Sequence, residues 1–224
     1  MSKRIKLSHR LLPDYTKGEE IMNMVTHIVG GGFGILVLLL CLFRSVTKHN
    51  ATAIVSTCVY GVLMITLYAM SSIYHGLHAS TGKKVMQILD HCAIYFLITG
   101  TYTPILLVGF VPRFPLIGWG LMILEWGLGI LAAILTAIDL KKYNILSMVC
   151  YICMGWAILP FISQTIAIMT LAGFYFLLAG GIAYTVGAVL YGIGSKLRWM
   201  HSVFHIFVVL GSVLQFLAIY LYLL

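Results

Sequence analysis

The chain has 224 residues, 61% of them hydrophobic and only 9% charged, where an ordinary soluble domain carries about 25% charged side chains. So few charges, with a mean hydropathy of +1.03, exclude disorder and a water-facing surface and leave an integral membrane protein. The net charge of +8 would point to nucleic acid only if the basic residues clustered on one exposed face; here they must lie in loops between apolar runs, so no nucleic-acid partner is expected.

Residues 1–22 are polar and mixed in charge, read as a short cytoplasmic amphiphilic N-terminus without a removable signal peptide. Residues 23–224 form one membrane domain. Stretches of about 20 apolar residues, the length that crosses ~30 Å of hydrocarbon, occur at roughly 23–43, 52–75, 86–108, 116–138, 144–162, 168–193 and 199–223. None alternates with period two, so the spans are helices and not barrel strands. The expected fold is an all-α seven-helix bundle in which short loops, at 44–50, 80–84, 111–115, 139–142, 163–167 and 194–198, make sequential helices antiparallel. The weakest boundary is the one between the fifth and sixth spans, marked only by Ser163, Gln164 and Thr165.

Along these spans, the first carries Asn23, His27 and a glycine run, Gly30 to Gly34, whose small-residue spacing lets helices approach closely. The second ends in Ser71 and His75. The third holds Asp90, His91 and Pro104, the fourth Glu125, and the fifth Cys150, Cys153 and Pro160. Both prolines are expected to kink or end their helices. The two cysteines sit on a continuous apolar stretch and read as packing residues, and the odd count of five argues against a disulfide framework. The seventh span opens with His201 and His205 behind Trp199, which together with Tyr143 reads as an interfacial anchor.

Orientation follows from the basic residues. Lys3, Arg4, Lys6, Arg10, Lys17, Lys83, Lys84, Lys141, Lys142, Lys196 and Arg198 fall on the N-terminal side, while Arg44, Lys48 and Arg113 fall opposite, eleven against three. This bias puts the N-terminus in the cytoplasm and, with seven spans, the C-terminus outside.

Ionisable groups inside a span are costly and are functional candidates by default. His27, His75, Asp90, His201 and His205 all fall in a slab roughly 10 Å thick near the cytoplasmic face, given 1.5 Å of rise per residue. His201 and His205 share a helix face one turn apart, the spacing that offers two imidazoles to one metal. Three neutral imidazoles with an open position is the composition of a catalytic zinc site, so His75, His201 and His205 are the expected ligands. Asp90 is placed to take a proton from, or orient, a water at the open position, and Ser71 to hydrogen-bond that water or a developing oxyanion. Asn23 and His27 are expected to support the ligands from behind, with Glu20 near the same helix start. His78 and His91 are not expected to be ligands, and Glu125 has no partner that sequence can name.

The ordered segments Glu19-Glu20-Ile21-Met22-Asn23-Met24-Val25-Thr26-His27, Ser71-x-x-x-His75, Asp90-His91-Cys92-Ala93-Ile94-Tyr95 running on to Gly100-Thr101-Tyr102-Thr103-Pro104, and His201-x-x-x-His205 resemble the motifs of the hemolysin III family. That family is the bacterial branch of the progestin and adipoQ receptor superfamily and is similar to the alkaline ceramidases. The resemblance implies seven helices with the N-terminus inside, a zinc ion on His75, His201 and His205, and a water near Asp90 and Ser71. It also implies a link to membrane lipid homeostasis. The short N-terminus, unlike that of the animal receptors, argues against a protein-hormone partner and leaves membrane lipids as the expected one.

Three functions compete: a zinc-dependent hydrolase of a lipid amide or ester in the cell membrane, a non-enzymatic lipid or fluidity sensor held together by zinc, and a pore-forming haemolysin. The pore has the least support, because a permeation path needs polar groups at several depths.

Overall fold

The structure is a computed structural model describing residues 7, 10–194 and 197–224. Lys3, Arg4, Lys6 and Lys196 of the charge tally lie outside the described residues. Among these the fold is all-helical. In chain order the helices are α1 (Lys17–Thr47), α2 (Ala51–Gly76), α3 (Thr81–Pro104), α4 (Pro115–Ile138), α5 (Asn144–Gly155), α6 (Ile162–Gly194) and α7 (Met200–Tyr222).

Local chemistry sets the helix starts. Thr16 caps α1 in a reciprocal box with Glu19, which begins the helix at Lys17, well before the apolar run. The Asn50 side chain accepts the Ala53 amide to start α2, and the Ser80 hydroxyl accepts the Lys83 amide to start α3. Lys83, expected in a loop, is therefore on a helix, and it is buried.

Proline 104 has no amide hydrogen to continue the helical ladder. After it α3 passes into a π-helical stretch, Ile105–Phe110, and a short turn, Val111–Arg113, before the chain reverses at Phe114.

Each helix buries one stripe and turns large apolar side chains outward, as a bundle in lipid must; Val29, Phe43, Ile123 and Leu171 are among those exposed. On α1 the buried stripe is Glu19, Asn23, His27, Gly30, Gly34, Val37, Cys41 and Ser45, at helical spacing. A Cβ on Gly30 would lie 2.6 Å from the Tyr68 ring, so glycine there sets the approach of α1 to α2. Sequential helices pack on each other and α1 also packs on α7, which closes the bundle around α2 and brings its inner end beside the start of α7. All five cysteines are free.

Among the described residues, six stretches are long and apolar enough to cross a membrane. Five match expected spans, and the sixth is a 51-residue run, Asn144–Gly194, which at 1.5 Å per residue would measure about 77 Å if straight. It is not continuous. Helix α5 ends at Gly155, a 3-10 turn at Leu159–Phe161 contains Pro160, and Met169 and Thr170 are non-helical, Thr170 at φ 65°. The loop expected at 163–167 is therefore corrected. Ser163, Gln164 and Thr165 are helical, with the Thr165 hydroxyl donating to the Phe161 carbonyl, and the break comes at Met169–Thr170. A hydroxyl that can bond its own helix backbone does not force a loop.

Candidate metal centre

The inner end of the bundle brings three imidazoles together. His75 comes from the last turn of α2, and His201 and His205 from the first turns of α7. The His201 Nε2 lies 3.4 Å from the His75 Nε2 and 3.1 Å from the His205 Nε2. All three residues are buried, and one nitrogen from each lies within 4.8 Å of the others. Zinc–nitrogen bonds of about 2.0–2.1 Å at tetrahedral angles separate ligand nitrogens by about 3.3 Å. The trio is therefore spaced as ligands of one small cation would be, and can hold a metal ion.

Neighbours fix how the rings point. The Nδ1 of His75 is 2.6 Å from Glu20 Oε2, so it carries the proton and leaves the Nε2 lone pair facing the cluster. This carboxylate–histidine pairing is how metal ligands are commonly oriented. The other oxygen of Glu20 accepts from the buried Lys83 Nζ at 2.7 Å, and that amine also donates to the Leu77 carbonyl at 2.9 Å. Asn23 sits 3.5 Å from the same His75 nitrogen and accepts the Ser202 hydroxyl at 2.6 Å, which ties α1 to α2 and α7. His27 is outside the trio: its ring stacks on His205 at 3.8 Å and meets Tyr68 edge-on. It packs behind a ligand.

Sequence reading named Glu20 only as a residue near the helix start. The signal that exposes it is the i, i+3, i+7 spacing of Glu20, Asn23 and His27 on a helix that begins at Lys17 and not at residue 23. Tyr15 was missed outright. Its ring stacks on His201 at 4.9 Å and lies 5.7 Å from His75, covering one side of the cluster. The segment bearing Tyr15 is held by Arg198, which donates to the Asp14 carbonyl at 2.8 Å, and by the Trp199 amide, which donates to Glu19 Oε1 at 2.6 Å. Trp199 adopts φ 67°, a left-handed conformation uncommon for a large side chain, and that single amide bond helps to hold it.

Asp90 is brought to the cluster from α3. Its carboxyl is within hydrogen-bonding reach of the buried Ser71 hydroxyl and within electrostatic reach of His75. Ser71, Asp90, His201 and His205 line the inner end of a cavity of about 150 Å³. Its remaining wall is mostly apolar, from Ile98 and Trp156 to Phe174, and reaches Gln215, ten residues or about 15 Å along α7 from His205. That is half of a ~30 Å hydrocarbon core, the depth of one leaflet. His91 lines the same cavity but is not part of the trio, and His78 is exposed. Glu125 is fully buried on α4, away from the cavity lining, with neither oxygen hydrogen-bonded.

A family model described as "Haemolysin-III related" matches residues 15–216. Similar proteins include Hemolysin-3 of Bacillus cereus, 40% identical over 206 residues covering 92% of each chain. The Hemolysin-3 homolog of Bacillus subtilis (strain 168) is 34% identical over 208 residues, 93% of this chain and 96% of that one. More distant is the human Monocyte to macrophage differentiation factor, 25% identical over 171 residues, 74% of this chain and 69% of that one. The matched segment contains every member of the histidine cluster.

Proposed function

The chain belongs to the haemolysin-III-related family, within the progestin and adipoQ receptor superfamily, and from that membership we propose that this multi-pass membrane protein is a zinc-dependent hydrolase of a lipid amide or ester, linked to membrane lipid homeostasis. The observation that carries the reading is the meeting of three converging imidazole nitrogens with Asp90 and Ser71 at one end of an apolar cavity as deep as a leaflet. Such a cavity suits an acyl chain, and its polar end suits the scissile bond just below the headgroups.

When bound to His75, His201 and His205, zinc would polarise the scissile carbonyl and make water nucleophilic at neutral pH. Glu20 holds His75 in the tautomer that presents Nε2, and Asn23 and His27 fix the helices around it. Asp90 takes the proton of the attacking water and returns it to the leaving group. Ser71, freed from Asp90 as that group protonates, donates to the carbonyl oxygen as charge develops there. Tyr15 keeps bulk water off the cluster.

In this reading the run Asn144–Gly194 supplies two spans, reversing at Met169–Thr170, so that seven helices cross with the N-terminus in the cytoplasm. A sensor without catalysis is the second reading. It is favoured by the way the cluster ties α2 to α7, since a metal there would set the spacing of two helices that line the cavity.

Metal analysis of purified protein tests the site. One zinc per chain is expected, falling toward zero in His201→Ala and His205→Ala and persisting in Asp90→Ala. Zinc retained at full stoichiometry in both histidine variants would overturn the assignment.

A further inference from the structure

Two polar side chains on the cavity wall take no part in the metal centre or in the proton transfer. His91 on α3 and Tyr191 in the last turn of α6 stand close to the inner ends of two stripes that line the cavity, with Ile94 and Ile98 following His91 along α3 and Tyr184 and Ala188 preceding Tyr191 along α6. Their rings are 6.1 Å apart and meet edge-on, and the Tyr191 ring is 5.6 Å from that of His201. The pair therefore lies beside the histidine trio, on the wall of the same space.

The backbone at His91 is tied down, because its carbonyl accepts the Tyr151 hydroxyl at 2.9 Å. The polar ends of the two side chains are not. Among the described residues neither the His91 imidazole nor the Tyr191 hydroxyl hydrogen-bonds to the protein, and neither is among the polar atoms sealed inside the wall, as the Glu125 oxygens are. They open onto the cavity that their residues line.

A polar group that meets only apolar contents forgoes a hydrogen bond. A neutral imidazole and a phenol each carry both a donor and an acceptor. A hydroxyl matches them, since it also donates and accepts, whereas a phosphate or carboxylate only accepts. The Asp90 carboxylate, next to His91 in the chain and within electrostatic reach of Tyr191, further disfavours an anion here.

We propose that His91 and Tyr191 form a subsite beside the metal centre that hydrogen-bonds a hydroxyl of the lipid close to the bond to be cleaved, so that the lipid taken is neutral and hydroxyl-bearing. The proposal rests on the reading of the cavity as an acyl-chain site and names the headgroup chemistry which that site selects. Asp90 and Ser71 act on the reacting bond; His91 and Tyr191 hold the group attached to it.

Non-hydrolysable probes keep binding apart from turnover. The purified full chain is titrated, with native mass spectrometry as the readout, against an alkylglycerol ether, the same ether with both hydroxyls methylated, and the alkyl phosphate of the same chain. The alkylglycerol is expected to bind about tenfold tighter than its methylated form, the size of one or two ordinary hydrogen bonds. Tyr191→Phe and His91→Leu should each remove most of that preference while leaving the affinity for the methylated ether as it was, which also shows that the variants fold. His91→Gln, which still donates and accepts, should keep part of it. Equal affinities for the two ethers in the wild type, or a preference undiminished in Tyr191→Phe or in His91→Leu, would overturn the proposal. Tighter binding of the alkyl phosphate than of the alkylglycerol would overturn its ligand class. A wild type that binds neither ether would overturn the acyl-chain reading of the cavity and the subsite with it, whereas equal binding of both ethers would sink the subsite alone. Zinc content read on the same samples separates this result from the hydrolase reading: a hydroxyl preference in a protein that binds no zinc would leave the subsite standing and the hydrolase reading fallen.

Discussion

Two carboxyl groups sit inside the bundle under opposite conditions. Asp90 reaches a cavity wall beside Ser71 and His75, at the end of the bundle where four helices bring polar groups to one depth. Glu125 lies mid-helix on α4, fully buried, with no hydrogen bond and no place on the cavity wall. The residue type is nearly the same, and the neighbours differ. A carboxylate with a donor on one side, a cluster of imidazoles on the other and a space before it can move a proton to a ligand. A carboxyl enclosed by side chains cannot do so without a rearrangement, so burial alone does not identify a working acid.

That contrast can be broken by substitution. Asp90→Asn keeps the shape and removes the proton acceptor. Lipid hydrolysis by the purified protein should fall by about 10²–10⁴-fold, the usual contribution of a positioned general base, while zinc content stays at the wild-type level. If activity survives, Asp90 is no different in kind from Glu125.

Support from behind is the next largest effect. Glu20→Gln leaves His75 in place and weakens the hold on its tautomer. Zinc affinity, measured by competition with a chelator, is expected to drop about 10–100-fold, with Glu20→Asp restoring part of it. An unchanged affinity would make Glu20 a partner of Lys83 only.

Zinc binding should also be visible as stability. At a free concentration of about one hundred times Kd, a ligand of the folded state adds about 2.7 kcal/mol. The thermal midpoint of the wild type should rise with zinc, and that of His205→Ala should not.

The smallest effect is expected at the other pole. Glu125→Gln has no hydrogen bond to lose, so hydrolysis and zinc content should match the wild type, and stability should stay within about 1 kcal/mol. A large loss of activity there would sharpen the comparison against us by giving Glu125 work that its surroundings do not suggest.

The trio of histidines was legible in the sequence because depth along a helix is simple arithmetic, and charge is so scarce in this chain that His75, Asp90, His201 and His205 stand out against the apolar background. Asn23 and His27 were legible as companions from their spacing. What depth cannot give is the azimuth around the bundle. Glu20 was legible only once Thr16 and Glu19 were seen to cap α1 six residues ahead of the apolar run. Tyr15 belongs to a non-periodic segment, and only the fold carries its ring onto His201. Pro160 signalled a break in the long Asn144–Gly194 run. The second break, at Met169–Thr170, has no glycine or proline to announce it, and the polar residues just before it proved compatible with a helix.

The most direct test of the account is the release of fatty acid, by mass spectrometry of lipid products, from liposomes containing the purified protein with and without a chelator. The account predicts multiple-turnover release that stops when zinc is stripped and resumes when zinc alone is restored. No release by fully zinc-loaded protein from phosphate-bearing or neutral lipids, or release that ignores the chelator, would contradict it.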